Sequence, residues 1–93
     1  MRIPESIKVG GIRYSVEVVD KIDESDAQGE INYEECRIRI KKGNADAMKQ
    51  TFIHEMFHAI NIDFDEERVE FLSVLFYQIV QDNPTIFGGE KHE

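Results

Sequence analysis

A chain of 93 residues, 41% of them hydrophobic, has room for one small core, and residues 1–93 are read as a single domain with 85–93 as a loose tail. Nineteen acidic against eleven basic residues give a net charge of −8, which excludes nucleic-acid binding through a broad basic face. One cysteine, Cys36, cannot build an internal disulfide framework, and neither a long apolar stretch nor an apolar leader is present, so the expectation is a soluble cytoplasmic protein that does not enter the membrane.

The first half of the chain has a period of two. Ile7 and Val9 share a face, Gly10-Gly11 supplies a turn that tolerates positive φ, and Ile12, Tyr14, Val16 and Val18 alternate with Arg13, Ser15 and Glu17. A hairpin over about 6–19 is predicted. Residues 20–28 (DKIDESDAQ) are polar and read as a connecting loop. Gly29, Ile31 and Tyr33 then alternate with Glu30 and Asn32, and Glu34-Glu35 reverses the chain. Cys36, Ile38 and Ile40 face one way, with Arg37, Arg39 and Lys41 facing the other as a solvated row. Four short strands, antiparallel at least pairwise, follow from this reading.

Beyond Gly43 the period becomes helical. Asn44 or Asp46 can cap a helix over 45–60, with Met48, Phe52, Met56 and Ile60 at every fourth position. Asp63 or Asp65 can cap a second helix, whose first turn holds Glu66 and Glu67 beside the positive end of the dipole. Its apolar stripe is Val69, Leu72, Ser73, Phe76, Ile79 and Val80, and Asp82-Asn83-Pro84 ends it. The fold class expected is α+β, a small antiparallel or mixed sheet of about four strands followed by two packed helices.

One motif carries chemistry. His54-Glu55-Met56-Phe57-His58 is an H-E-x-x-H inside the first helix, and i, i+4 spacing places both imidazoles on one face within reach of a single ion. Nitrogen donors of this kind suit Zn²⁺, and Glu55, one position round, can hold and deprotonate a water without ligating. Manganese, cobalt or nickel would also accept such a set. A buried structural histidine pair is the bland alternative, but it leaves these polar groups in need of partners on an apolar helix.

A third protein ligand is required. His92 sits in the tail, so the second helix must supply it, from Glu66, Glu67 or Glu70. At 100° per residue Glu66 lies nearest the buried face, Glu70 a little farther round, and Glu67 points away. Glu66 is the expected ligand. Glu70 is the alternative, or the carboxylate that orients a ligating histidine through its other nitrogen. Tyr33, Tyr77 and His92 are the side chains that could stabilise an oxyanion, although packing explains the tyrosines more simply.

The strand-rich start, HEMFHAI on one helix and EERVEFLSVLFYQ on the next resemble the small phage- and prophage-type ImmA/IrrE-like zinc metallopeptidases. The resemblance runs from IPESIKVGG through QGEINYEECRIRI to VQDNP. In the family an H-E-x-x-H helix precedes a helix patterned E-x-x-A-N-x-F-A. Glu66 matches its glutamate ligand, while Val69, Glu70 and Leu72-Ser73 stand where the pattern has Ala, Asn and Phe-Ala. The resemblance implies a minimal zincin-like fold and hydrolysis of a protein substrate, in some members a repressor-type regulator. On this reading His54, His58 and Glu66 bind Zn²⁺, Glu55 is the catalytic base, and an extended substrate pairs with a sheet edge such as Gly29–Tyr33.

Two other classes compete. A zincin-like binding module could sequester a host or phage protein without cleaving it, since only seven residues separate His58 from Glu66 and little chain is left for a cleft. An acidic protein could also mimic DNA, but that leaves the H-E-x-x-H helix unexplained.

Overall fold

The computed structural model describes residues 1–86, in the order β1 (Ser6–Val9), β2 (Ile12–Val19), β3 (Gly29–Asn32), β4 (Arg37–Lys41), α1 (Ala45–Ile60) and α2 (Glu66–Asp82). Gly10 and Gly11 have φ of 57° and 90°, the doubly positive turn whose twist suits a two-residue hairpin. That turn pairs Val9 with Ile12 and Ile7 with Tyr14, antiparallel.

The sheet order is β1-β2-β4-β3. After β2 the chain crosses the sheet end and sets β3 down one place too far for direct pairing. The tight β3–β4 hairpin then brings β4 back into the gap. β4 therefore pairs parallel with β2 and antiparallel with β3, which makes the sheet mixed. Lys41 N–H donates to Gln28 C=O at 2.8 Å and Lys42 N–H to Val19 C=O at 2.7 Å, closing that end. Cys36 (φ 53°) occupies the left-handed position of the turn, so the strand begins at Arg37.

Both helices start where a side chain replaces a missing backbone acceptor. Asn44 Oδ1 accepts from Ala47 N–H at 2.8 Å, and Asp65 Oδ1 from Arg68 N–H at 2.7 Å. α1 packs on β3 and β4 and touches β1, whereas α2 packs on α1 alone among the elements. The core joins Tyr14 and Val16 of β2, Ile38 and Ile40 of β4, Phe52 and Ile53 of α1, and Tyr77 of α2. Phe57 and Phe76 meet edge to face at 5.7 Å and fasten the two helices.

Several expected core positions are exposed, each because a neighbour stops short. β4 pairing begins only at Ser15 and β1 pairing ends there, so Ile12 lacks one flank and Val18 the other. Ile60 ends α1 and emerges from the packed layer. Ile79 is exposed because α2 has one partner helix and buries a narrow stripe, Val69, Ser73 and Tyr77. The polar 20–28 segment holds an anchor, Ile22, which is 3% exposed. The arginine row is not simply solvated. Arg39 is clamped between Glu30 and Asp23, and Arg37 pairs with Glu35 at 2.7 Å, so both side chains are largely covered.

Candidate metal centre

The geometry starts from the pitch of α1. Sixteen residues of continuous helix carry His54 and His58 to one side with side chains 15% exposed and ring centroids 5.1 Å apart. Asn61 then stops the helix. Its Oδ1 accepts from Asp63 N–H at 2.9 Å and its C=O accepts from Phe64 N–H at 3.0 Å. This compact corner turns the chain straight back, so the first residue of α2, Glu66, lands over the last turns of α1.

Glu66 reaches both imidazoles, Oε2 lying 2.7 Å from His54 Nε2 and Oε1 3.0 Å from His58 Nε2. One donor atom from each of the three residues falls within 4.8 Å of the others, and the group could hold a metal ion. The donor set, two imidazole nitrogens and a carboxylate, is one that divalent transition metals accept. Glu70 contacts the other ring nitrogen of His54, with Nδ1 to Oε1 at 3.1 Å. Glu67 is exposed and belongs to none of these contacts.

Glu55 is the buried member, 6% exposed. Burial pushes its carboxyl up to about 7, against the opposing influence of His54 and with the help of Glu66 and Glu30. Its side chain lies against the backbone of Gly29 at the start of β3, where a Cβ would sit 2.9 Å from Glu55 Oε2. Helix and sheet edge thus meet at the acid itself.

A cleft of about 600 Å³ opens here. Ala27, Gln28 and Gly29 form one wall, Ala47, Gln50 and Thr51 the other, with His54, Glu55, Glu66 and Glu70 at one end. Gln50, Thr51 and Ala47 are wall residues that motif reasoning overlooked. Their spacing was visible, since they precede His54 by four, three and seven positions on the same helix face. The tyrosines are committed elsewhere. Tyr33 Oη donates to His58 C=O at 3.1 Å and Tyr77 Oη to Asp46 Oδ1 at 2.6 Å. His92 lies outside the described residues.

Comparison with models of known families, with curated proteins and with solved structures finds no match.

Proposed function

We propose that this protein is a zinc-dependent metallopeptidase acting on a protein or peptide substrate, a repressor-type regulator being the class suggested by its ImmA/IrrE-like resemblance. The observation that carries the reading is the meeting of His54, His58 and Glu66 donors beside a buried carboxyl at the end of an open cleft.

His54, His58 and Glu66 would hold the ion, with Glu70 fixing the His54 tautomer by accepting from Nδ1–H and leaving the Nε2 lone pair toward the cluster. Zn²⁺ bound there supplies a Lewis acid that polarises a carbonyl and acidifies water toward neutrality. Glu55 takes a proton from the attacking water and returns it to the leaving amine. Its buried place against Gly29 at the end of the cleft keeps it beside the His54/His58/Glu66 group, where it can act in both transfers. β3 is a sheet edge, so its outer backbone groups can pair with an extended peptide laid along the cleft. No helix among the described residues is long and apolar enough to cross a membrane.

The test is elemental analysis of protein purified without added metal, followed by cleavage of a fluorogenic peptide library. Wild type should hold about one zinc per chain. His58→Ala and Glu66→Ala should lose it, and Glu55→Gln should keep the metal while losing cleavage. Wild type that stays metal-free after zinc is supplied refutes the reading. A metal-loaded wild type that cleaves no better than Glu55→Gln leaves a binding module instead.

A further inference from the structure

α2 carries a second apolar face that no part of the described chain covers. At 100° per residue Phe71, Val74, Leu75 and Ile79 gather on the side opposite Val69, Ser73 and Tyr77, and they are 64%, 42%, 43% and 40% exposed. With roughly 200 Å² for a fully exposed large side chain, these four offer on the order of 400 Å² of apolar surface. Arg68 and Asp82 lie on the same side at opposite ends of the line, both exposed. Arg68 forms no ion pair among the described residues, and Asp82 accepts only from Gln78, at 2.8 Å.

We infer that this face binds a second copy of the chain, α2 against α2 in antiparallel fashion, about a two-fold axis at Leu75. The register follows from the numbering. With Leu75 facing its own counterpart, Phe71 of each copy faces Ile79 of the other, and Arg68 faces Asp82 of the other. Apolar residues meet in the middle and opposite charges meet at both ends, which is the self-complementarity an isologous contact needs. A chain of net charge −8 repels its copies over most of its surface. This strip has two acids, Glu67 between Val74 and Phe71 and Asp82 at its end, against Arg68, so the reciprocal Arg68–Asp82 pairs fix where two copies can approach. The apolar strip alone supplies about half of the roughly 800 Å² per partner of a specific interface, which fits a dimer that dissociates on dilution. Glu66 and Glu70 occupy a different side of α2, against the α1 histidines, so the pairing leaves the candidate metal cluster open.

Sedimentation equilibrium on the full chain across a dilution series tests this. Wild type should show the mass of a dimer that dissociates on dilution, and Leu75→Glu, which places two carboxylates together on the axis, should be a monomer at every concentration. Arg68→Glu and Asp82→Arg should each weaken the dimer at least several-fold, and the double reversal should recover most of that loss. Circular dichroism and zinc content should stay as in wild type throughout, which separates this interface from folding and from the metal site. A monomeric wild type, a dimer indifferent to Leu75→Glu, or a double reversal weaker than both single variants overturns the proposal.

Discussion

Gly29 is the residue whose smallest possible enlargement reports most on the site. Its φ is not in the left-handed region, so alanine meets no backbone strain there. On unfolded-chain entropy alone, Gly29→Ala should stabilise by about 0.4–1 kcal/mol. The added methyl, however, would sit 2.5 Å from Thr51 Cγ2, 2.9 Å from Glu55 Oε2 and 3.3 Å from Glu55 Cγ. Two of these lie below any real Cβ contact, so α1 or its side chains must yield, and overpacking of this kind costs about 1–3 kcal/mol. The collision wins, leaving a net loss of about 0.5–2 kcal/mol. In a chain of this size that lowers the melting temperature by roughly 4–8 °C per kcal/mol. Gly43→Ala is the internal control, because nothing lies within 4 Å of its added Cβ and only the entropic gain remains. Thr51→Ser removes the nearest methyl, so the Gly29→Ala/Thr51→Ser pair should recover about half of the loss, a non-additivity read from a double-mutant cycle. Thermal unfolding by circular dichroism measures all five proteins, wild type, the three single variants and the double. If Gly29→Ala were as stable as Gly43→Ala, the close approach of β3 to α1 beside Glu55 would be wrong.

Further outcomes follow from other contacts. Glu70→Ala should weaken metal binding by about 10–100-fold in a chelator competition while leaving stoichiometry intact, because it removes the partner of His54 Nδ1 and no proposed ligand. Tyr77→Phe should cost about 1 kcal/mol by denaturant titration at neutral pH, since it deletes the bond to Asp46. Burial and then Asp46 push the Tyr77 hydroxyl from the ordinary 10.0 up to about 12. A raised pKa stabilises the fold below the unfolded value, and that contribution is lost as pH climbs from about 10 through 12, a decline Tyr77→Phe should not share. Ile38→Ala, at a fully buried position, should cost about 2–4 kcal/mol, whereas Ile12→Ala, 49% exposed, should stay within about 0.5 kcal/mol of wild type.

Features with local causes were legible in the sequence. The helix limits follow from Asn44, Asp65 and the Asp82-Asn83-Pro84 stop, and the first hairpin from Gly10-Gly11, because each is decided within a few residues. Features set by distant neighbours were not. Periodicity assigns Ile12 and Val18 to the same face as Tyr14 and Val16, and it cannot see that strands on either side end at Ser15. Nor does a stripe of apolar residues say how many partners a helix will have, which is why Ile79 reads as core and stands in solvent. Ile22 and Gly29 both lie in or beside a polar segment, and only the packed chain shows that one is an anchor and the other a point of closest approach.

The two carboxylates of α2 show how a short connection sorts residues of one type. Glu66 and Glu70 differ by one turn, a rise of about 6 Å along the helix, the same interval that separates His54 from His58 on α1. Because the Asn61–Asp65 corner folds α2 back antiparallel, moving forward on α2 means moving backward on α1. The first carboxylate is therefore level with both imidazoles and contacts both Nε2 atoms. The second has passed His58 and can touch only His54, on the ring nitrogen facing away from the cluster. Rotation about the helix axis made both glutamates candidates; translation along it separates their places. The length of the corner sets that translation, so a residue inserted between Asn61 and Asp65 would disturb the cluster without altering a single proposed ligand.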